Sequence, residues 1–214
     1  MTPTHASAGP AADTRQDTRQ DTRARLIAAM SDALRRRGYH GIGLNELLAA
    51  AEAPKGVLYH HFPGGKTALA VAAIEASVER ICAYLDGLIA RGDTPAAVLE
   101  AWMDAAQRQL EKTRFESGCP LAAVALESTP ADVEIRAALT AAFSVCRRRL
   151  ADLLLAHGEE ATRAEALAAL IVSAYEGGLM QSRVAESIEP MRQTGLALRA
   201  LLGLPANAHE RSPT

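Results

Sequence analysis

The segment over residues 43–66 constrains the fold more than any other part of the chain, because a proline separates two short apolar patterns. Leu44, Leu47 and Leu48 recur at helical spacing and would share one buried face. A second apolar stripe follows Pro54, which cannot continue a helix but suits the first turn of the next one. The pattern therefore predicts two short helices joined by a sharp turn, a helix-turn-helix.

The second of these helices, from about Pro54 to His61, carries groups suited to phosphate at its first turn. The ammonium of Lys55 lies there beside the main-chain N–H groups of Gly56 and Val57, which we expect to be free of helical partners. Glycine also has no side chain to hold a DNA backbone away. This end of the helix is predicted to attract phosphate.

Tyr59 and His60 lie about one turn further along, where they can reach a phosphate oxygen or the edge of a base. Lys66 adds a second cation at the start of the following helix. We therefore predict that this surface reads double-stranded DNA. The alternative for Tyr59 and Phe62 is that both are core aromatics of a small helical domain.

The stretch LYHHFPGGK, preceded by AAAEAPKG, resembles the N-terminal domain of TetR-type transcriptional repressors. The doubled glycine in it and the later run GCPL resemble the LmrA/YxaF-like branch of that family. The resemblance implies an all-α chain with a helix-turn-helix domain in front of a helical domain that binds a ligand and dimerises. The residues that it implies for DNA contact are Lys55, Gly56, Tyr59, His60 and Lys66, with Asn45 touching the DNA backbone.

Two positions depart from the pattern of this family. Gly43 stands where a serine or threonine is usual, so the first short helix lacks a capping hydroxyl, although Glu46 supplies the acidic half of a capping box. Glu52 stands where the turn usually has glycine. A left-handed backbone at Glu52 would cost about 1 kcal/mol.

Charge is distributed unevenly along the chain, whose formal net charge is only −2. From Arg15 to Lys66 there are nine Lys or Arg against five Asp or Glu, a balance of +4, and the part from Thr67 onward carries −5. A basic head attached to an acidic body fits DNA binding by the head alone.

No cofactor or metal site is expected from the sequence. The adjacent histidines His60 and His61 point roughly 100° apart on a helix, and the three cysteines are widely spaced and read as ordinary buried residues. No uncharged run approaches the ~18 residues that span a bilayer, and we see no signal peptide. We expect a cytoplasmic protein with no membrane partner.

The segment over residues 1–21 contains most of the repeat DTRQ-DTRQ-DTR, which runs from residue 13 to residue 23 and at helical spacing would pair like charges. It is predicted to be a disordered arm, and the alternative is an arm whose arginines contact DNA. The first helix is expected from near Thr22. It ends after Arg35, Arg36 and Arg37, which suit a helix C-terminus or a solvated face.

About nine helices are predicted in all, arranged in two domains. The helix-turn-helix domain takes residues 22–66, the helical ligand-binding and dimerisation domain takes residues 67–204, and residues 205–214 form a disordered tail.

The penultimate long helix carries a flat face of small side chains on which another helix can approach closely. We predict a four-helix dimer seam built from this helix and the last one of each subunit, the alternative being packing within one subunit. The residues predicted for the seam are Leu170, Ala174, Gly177, Gly178, Gln181 and Leu198. Two heads on a two-fold axis could then read a palindrome.

Large apolar side chains from several body helices predict a cavity for a largely apolar small molecule, although any one of them could simply fill the core. Glu176 could select a cation or a hydroxyl group, or it could pair with Arg183. The residues predicted for the cavity are Trp102, Met103, Leu121, Phe143, Tyr175, Glu176 and Met180.

The leading hypothesis is a homodimeric repressor that binds a palindromic operator and is released by a small-molecule inducer. One alternative is a helical protein-interaction module that does not read DNA. A less favoured alternative is an all-helical enzyme that uses the body pocket. Since no recognisable catalytic arrangement occurs in the sequence, we expect that the chain is not an enzyme.

Overall fold

The computed structural model of the protein describes residues 11–202, with side chains from residue 20 onward. This part of the chain contains nine α-helices and no strand, which confirms the predicted all-α class. The helices are α1 (Ala11–Arg37), α2 (Leu44–Ala50), α3 (Lys55–His61), α4 (Gly65–Ala90), α5 (Pro95–Lys112), α6 (Pro120–Glu127), α7 (Val133–Ala156), α8 (Ala161–Ala185) and α9 (Glu189–Leu201). The predicted tail over residues 205–214 and the first ten residues of the predicted arm lie outside the described range.

Helix α1 begins at Ala11, well before the start that we predicted near Thr22, so the later part of the predicted arm is helical. The sequence has no glycine or proline from Ala11 to the end of α1. Once the buried part of the helix has nucleated, adding further turns costs little. Asp21 and Arg25 also form an ion pair of 3.3 Å across one turn, so opposite charges meet where the repeat joins the buried segment.

The first three helices form the head of the molecule around fully buried apolar side chains. Leu26, Met30 and Leu34 of α1 recur at helical spacing and are completely buried. Leu58 of α3 and Phe62 just after it are buried with them. Phe62 is therefore a core aromatic, the alternative that the sequence left open for it.

The hydrophobic core runs without a break from the head into the body. Helix α1 packs against α4 and α6, α4 packs against α7, and α8 lies between α7 and α9. The long helix α4 therefore contacts both the head and the centre of the body. The head is therefore packed onto the body through α1 and α4.

Neither a membrane-spanning helix nor a metal site is found in the part of the chain that the structure describes. None of its helices is both long and apolar enough to cross a membrane. Within the same residues, no group of three or more histidine, cysteine or acidic side chains could hold a metal ion. Cys82, Cys119 and Cys146 are buried free thiols, as predicted.

Candidate nucleic-acid interface and body cavity

The turn between α2 and α3 contains a left-handed residue at Glu52, the position where the family pattern usually has glycine. Glu52 has φ of +50°, while its N–H donates to the oxygen of Ala49 at 3.1 Å. The N–H of Ala53 donates to the oxygen of Leu48 at 3.0 Å, which closes the turn. Arg25 approaches the Glu52 carboxylate at 3.7 Å, so α1 supports the strained residue.

The tip of α3 is open to solvent at the positions predicted for phosphate. Pro54 is the capping residue, with φ of −64°, and Lys55 and Gly56 behind it are exposed. A Cβ added at Gly56 would meet no atom within 4 Å. The N–H of Val57 donates to the oxygen of Pro54 at 3.0 Å, so our expectation that this group is free was wrong, and Val57 itself is half-buried.

Tyr59 and His60 lie on the outer side of α3. Both are exposed, and 49% of the Tyr59 surface is accessible. The edge of the Tyr59 ring would lie 3.3 Å from a Cβ placed on Gly65, where the backbone has φ of +63°. Glycine at position 65 therefore allows the left-handed backbone and leaves room for the tyrosine ring.

Lys66 lies in the first turn of α4, but it is engaged within the head rather than free. Its Nζ lies 4.5 Å from the centroid of the Tyr39 ring, a cation–π contact. Partial burial lowers the pKa of Lys66, and nearby Glu127 opposes that change. The Tyr39 hydroxyl in turn is 3.0 Å from Oγ1 of Thr67, so the lysine and the tyrosine brace the start of α4.

The start of α2 presents Asn45 as an exposed side chain. Gly43 is the capping residue and offers no side-chain hydrogen bond, as expected. Glu46 instead pairs with Arg37 of α1 at 2.8 Å, and the hydrogen bond from Arg37 lowers the pKa of Glu46. No capping box forms, and the acidic group holds the end of α1 against α2.

The body contains a cavity of about 280 Å³ beside the end of α1. Trp102 and Tyr175 line it and stack nearly parallel, with ring centroids 4.1 Å apart and 9° between their planes. Arg35 of α1 and Arg80 of α4 also line it, together with Gln109. The cavity therefore joins an aromatic wall to a cationic one.

Three residues predicted for the cavity lie elsewhere. Met103 is buried close to Gly195 of α9, and Leu121 is buried in the core. Phe143 is half-buried and packs on the outside of that core. Periodicity gives their inward direction, but it does not tell which inward residue borders the empty space.

Glu176 and Met180 line a separate small cavity of about 70 Å³, next to Cys119. One carboxylate oxygen of Glu176 is buried and has no hydrogen-bond partner. Burial raises the pKa of Glu176 to about 7, although a hydrogen bond with Cys119 acts in the opposite direction. Burial, followed by the charge of Glu176, also holds the pKa of the Cys119 thiol well above its usual range.

Arg183 makes a different contact from the pairing with Glu176 that the sequence suggested. Its Nη2 donates to the main-chain oxygen of Arg36 in α1 at 3.0 Å. The main-chain N–H of Gly118, in the loop before α6, donates to the oxygen of Arg35 at 3.1 Å. Carbonyl groups at the end of α1 are therefore satisfied by α8 and by a loop that borders both cavities.

The residues predicted for a dimer seam divide into two sets. Leu170, with 45% of its surface accessible, and Gln181 are exposed, and Ala174 and Gly177 lie half-buried with them on one face of α8. The other two residues, Gly178 and Leu198, are buried within the subunit.

Gly178 is occupied by contacts with α9. A Cβ at this position would lie 2.9 Å from Oγ1 of Thr194 and 3.1 Å from Sδ of Met191. At Gly177 a Cβ would meet no atom within 4 Å. The two glycines thus differ in role, and only Gly177 remains available to a second molecule.

Sequence reasoning missed Arg35 and Arg80, which line the cavity, and Glu127, which contacts the head. Arg35 was interpreted as a helix-end or solvated arginine, and the isolated positions of Arg80 and Glu127 carried no motif. The sequence contains both Arg35 and the stretch GCPL, but it does not reveal that they lie close together in space.

Comparison with known proteins identifies relatives over most of the chain. The model of bacterial regulatory proteins of the tetR family matches residues 26–73, and that of the C-terminal domain of LmrA/YxaF-like transcriptional regulators matches residues 95–196. An uncharacterized HTH-type transcriptional regulator of Mycobacterium tuberculosis is 32% identical over 183 residues, which cover 83% of this chain and 92% of that protein. The HTH-type transcriptional regulator LmrA of Bacillus subtilis is 28% identical over 178 residues, covering 83% of this chain and 95% of LmrA.

Solved structures agree with these relatives. A crystal structure of the regulatory protein TetR from Rhodobacter sphaeroides matches with a TM-score of 0.73 and 28% identity, covering 82% of this chain and 95% of that one. The resemblance that we predicted from the sequence, including its branch, is confirmed. The alternative of an enzyme is rejected, since these relatives are transcriptional regulators. The chain belongs to the TetR family of helix-turn-helix transcriptional regulators.

Proposed function

We propose that this regulator is a homodimeric repressor that binds a palindromic operator and is released by a small-molecule inducer. The observation that carries the proposal is the exposed tip of α3, where a lysine, an open glycine, a tyrosine and a histidine follow one another on a helix anchored by buried Leu58. A short helix presented in this way fits the major groove of DNA.

Each exposed residue of α3 has a distinct part in the proposed contact. Lys55 binds phosphate, and Gly56 lets the DNA backbone approach because nothing lies above it. Tyr59 and His60 reach a base edge or a second phosphate, and Asn45 binds the backbone from the start of α2. Of the other predicted contacts, half-buried Val57 lies beside the tip, and we assign Lys66 to bracing Tyr39 rather than to reading bases.

Dimerisation is proposed through the exposed face of α8. Leu170, Ala174, Gly177 and Gln181 recur at intervals of three or four residues, so they share one side of the helix. Val184 extends this face with 83% of its surface accessible. Burial of such apolar side chains against a second copy is favourable, and it would place two α3 helices about a two-fold axis.

The induction step is proposed to pass through the end of α1. The loop that borders the cavity lined by Trp102 and Tyr175 donates a hydrogen bond to the oxygen of Arg35, while Arg183 donates one to the oxygen of Arg36. A ligand in the cavity that favours one arrangement of these contacts would change the position of α1 and hence of α3. The ligand must bind the two arrangements with different affinities, since equal affinity would shift nothing.

The experiment that tests operator binding is footprinting of the full-length protein on the DNA upstream of its own and adjacent genes. We expect a protected site with two-fold symmetry. The variants Lys55→Ala and Tyr59→Ala should lose the protection while remaining dimers in solution. Lys112→Ala, at the exposed end of α5, is the matched control and should protect like the wild type.

Equal protection by all three variants would contradict the assignment of α3 as the reader. Failure of the wild type to protect any sequence over random competitor DNA would instead favour a protein-interaction module.

A further inference from the structure

We propose that the cavity lined by Trp102 and Tyr175 binds an organic anion with an aromatic body. Arg35 and Arg80 hold its acidic group between them. The inference deepens the proposed ligand response and rests on it, because it names the chemical class of the inducer. The sequence had suggested a largely apolar ligand, with Glu176 able to select a cation or a hydroxyl group on it.

The two arginines reach the cavity from different helices. Arg35 lies in the last turn of α1 and Arg80 lies near the middle of α4, and both line the same space. Among the described side chains, no carboxylate forms an ion pair with either guanidinium, whereas Arg36 and Arg37 next in sequence are both paired with glutamates. Arg80 donates to Oγ of Ser77 at 3.2 Å, a neutral partner.

Because the two arginine side chains repel each other, binding of an anion between them would be favourable. Burial and then the positive charge of Arg35 lower the pKa of Arg80, and neighbouring Glu79 raises it by less. An anion placed between the two guanidinium groups would remove this repulsion and accept charge-assisted hydrogen bonds from both. Planar guanidinium groups suit carboxylate, sulfonate and phosphate groups in particular.

The rest of the cavity suits the ring system of such a ligand. The stacked pair of Trp102 and Tyr175 gives a flat wall, and Leu110, Ala106 and Leu179 complete an apolar lining. A space of about 280 Å³ is close to the lower limit of typical small-molecule sites, so the ligand is small. The cavity lining therefore combines two cationic side chains with a largely apolar and aromatic surface.

Arg35 gives the bound anion a direct connection to the head. Its side chain borders the cavity, while its main-chain oxygen accepts the N–H of Gly118 at 3.1 Å. Binding of an anion to Arg35 and Arg80 would draw α1 and α4 together at this point. The same residue thus takes part in ligand recognition and in the junction that supports the helix-turn-helix.

The test uses two dyes that share one ring skeleton, anilinonaphthalene sulfonate and the neutral phenylnaphthylamine. Trp102 is the only tryptophan in the chain, so energy transfer from it reports dye bound near the cavity. We expect the full-length protein to bind the sulfonate at least about tenfold more tightly than the neutral dye. Arg35→Gln and Arg80→Gln should each weaken sulfonate binding by about tenfold and leave neutral binding unchanged.

Arg136→Gln, on the exposed surface of α7, is the matched control and should bind both dyes like the wild type. Arg80→Lys keeps the charge and should retain part of the preference for the sulfonate. Should Arg35→Gln fail to fold, Arg80→Gln on the rim of the cavity carries the test.

Equal affinity for the two dyes, or an unchanged preference in both glutamine variants, would overturn the anion assignment. Absence of energy transfer with either dye would overturn it as well. The titration contains no DNA, so these outcomes leave operator binding intact. Failure of the footprinting experiment would in turn leave the dye preference standing, and the two proposals are therefore separable.

Discussion

Oε2 of Glu127, the last residue of α6, accepts the main-chain N–H of Tyr39 at 2.8 Å and that of His40 at 3.0 Å. A residue of the body thereby closes the turn between α1 and α2 in the head. Gly38 at the start of this turn has φ of +69°, and a Cβ there would overlap the Glu127 carboxylate. The head and the body are fastened together at this carboxylate.

We expect Glu127→Ala to lower the free energy of unfolding by about 1–3 kcal/mol, because two main-chain donors lose a charged acceptor. Urea unfolding followed by circular dichroism measures the change. Glu75→Ala, at an exposed position in α4, is the control and should have little effect. Equal stability of the two variants would mean that water replaces the carboxylate without cost.

Two glycines of the head should respond in opposite ways to alanine. Gly56→Ala should raise the stability of the fold by roughly 0.5–1 kcal/mol, since Gly56 is helical and unobstructed, yet weaken operator binding by crowding the DNA. Gly65→Ala should lower stability by about 1–2 kcal/mol because of its left-handed backbone and the adjacent Tyr59 ring. Thermal unfolding and operator titration of both variants distinguish the effects, and a shared direction in stability would contradict the assignment.

Operator binding should weaken as salt rises, with the logarithm of affinity falling by about 0.9 per neutralised phosphate for each unit in the logarithm of salt concentration. Lys55→Ala should reduce the steepness of this dependence by roughly 0.9, because one phosphate contact is lost. Fluorescence anisotropy over a range of salt concentrations measures the slope. A slope identical to that of the wild type would remove Lys55 from the phosphate contacts.

Much of the head was predictable because local rules determine it. Pro54 starts α3 for steric reasons, and the spacing of Leu26, Met30 and Leu34 fixes the buried side of α1. The role of Arg35 was not predictable, since an arginine in a last helical turn suits solvent equally well. Its place in the cavity depends on how α1 crosses α4, which is a property of the packed molecule.

The adjacent glycines of α8 give a similar lesson about the body. The sequence marked Gly177 and Gly178 as a place of close helix approach, and α9 does approach there. Neighbouring positions on a helix point about 100° apart, so only one of them can face a given partner. Gly178 is the one that faces α9. Which of the two does so depends on how the helices pack, and small-residue patterns do not encode that packing.

Stability should depend on pH through Glu176. Burial raises its pKa to about 7 in the folded chain, against an ordinary value of 4.5. Between these two values the folded chain keeps a proton that the unfolded chain has released, so the free energy of unfolding falls as pH rises and stays lower above pH 7.

We therefore expect Glu176→Gln to be more stable than the wild type by about 3 kcal/mol near pH 8, and nearly equally stable near pH 4. Urea unfolding of both proteins at several pH values measures the difference. A constant difference at all pH values would mean that the carboxyl titrates normally.

The proposed dimer face should be sensitive to charge. Leu170→Glu places a carboxylate at the N-terminal end of the exposed face of α8, and we expect it to weaken association by at least about tenfold. Sedimentation velocity over a range of concentrations measures this. Val133→Glu, at an exposed position that begins α7, is the control and should sediment like the wild type. Unchanged association of the Leu170 variant would mean that the dimer interface lies on another surface of the protein.

The unbroken core shared by head and body matters for anyone who wishes to retarget this regulator. Grafting residues 22–66 onto a foreign partner would sever α1 from the surfaces of α4 and α6 and would leave Glu127 without the turn that it fastens. A working chimera must therefore keep the α4 and α6 surfaces together with the helix-turn-helix domain. The unit that can be exchanged between such proteins is larger than the helix-turn-helix alone.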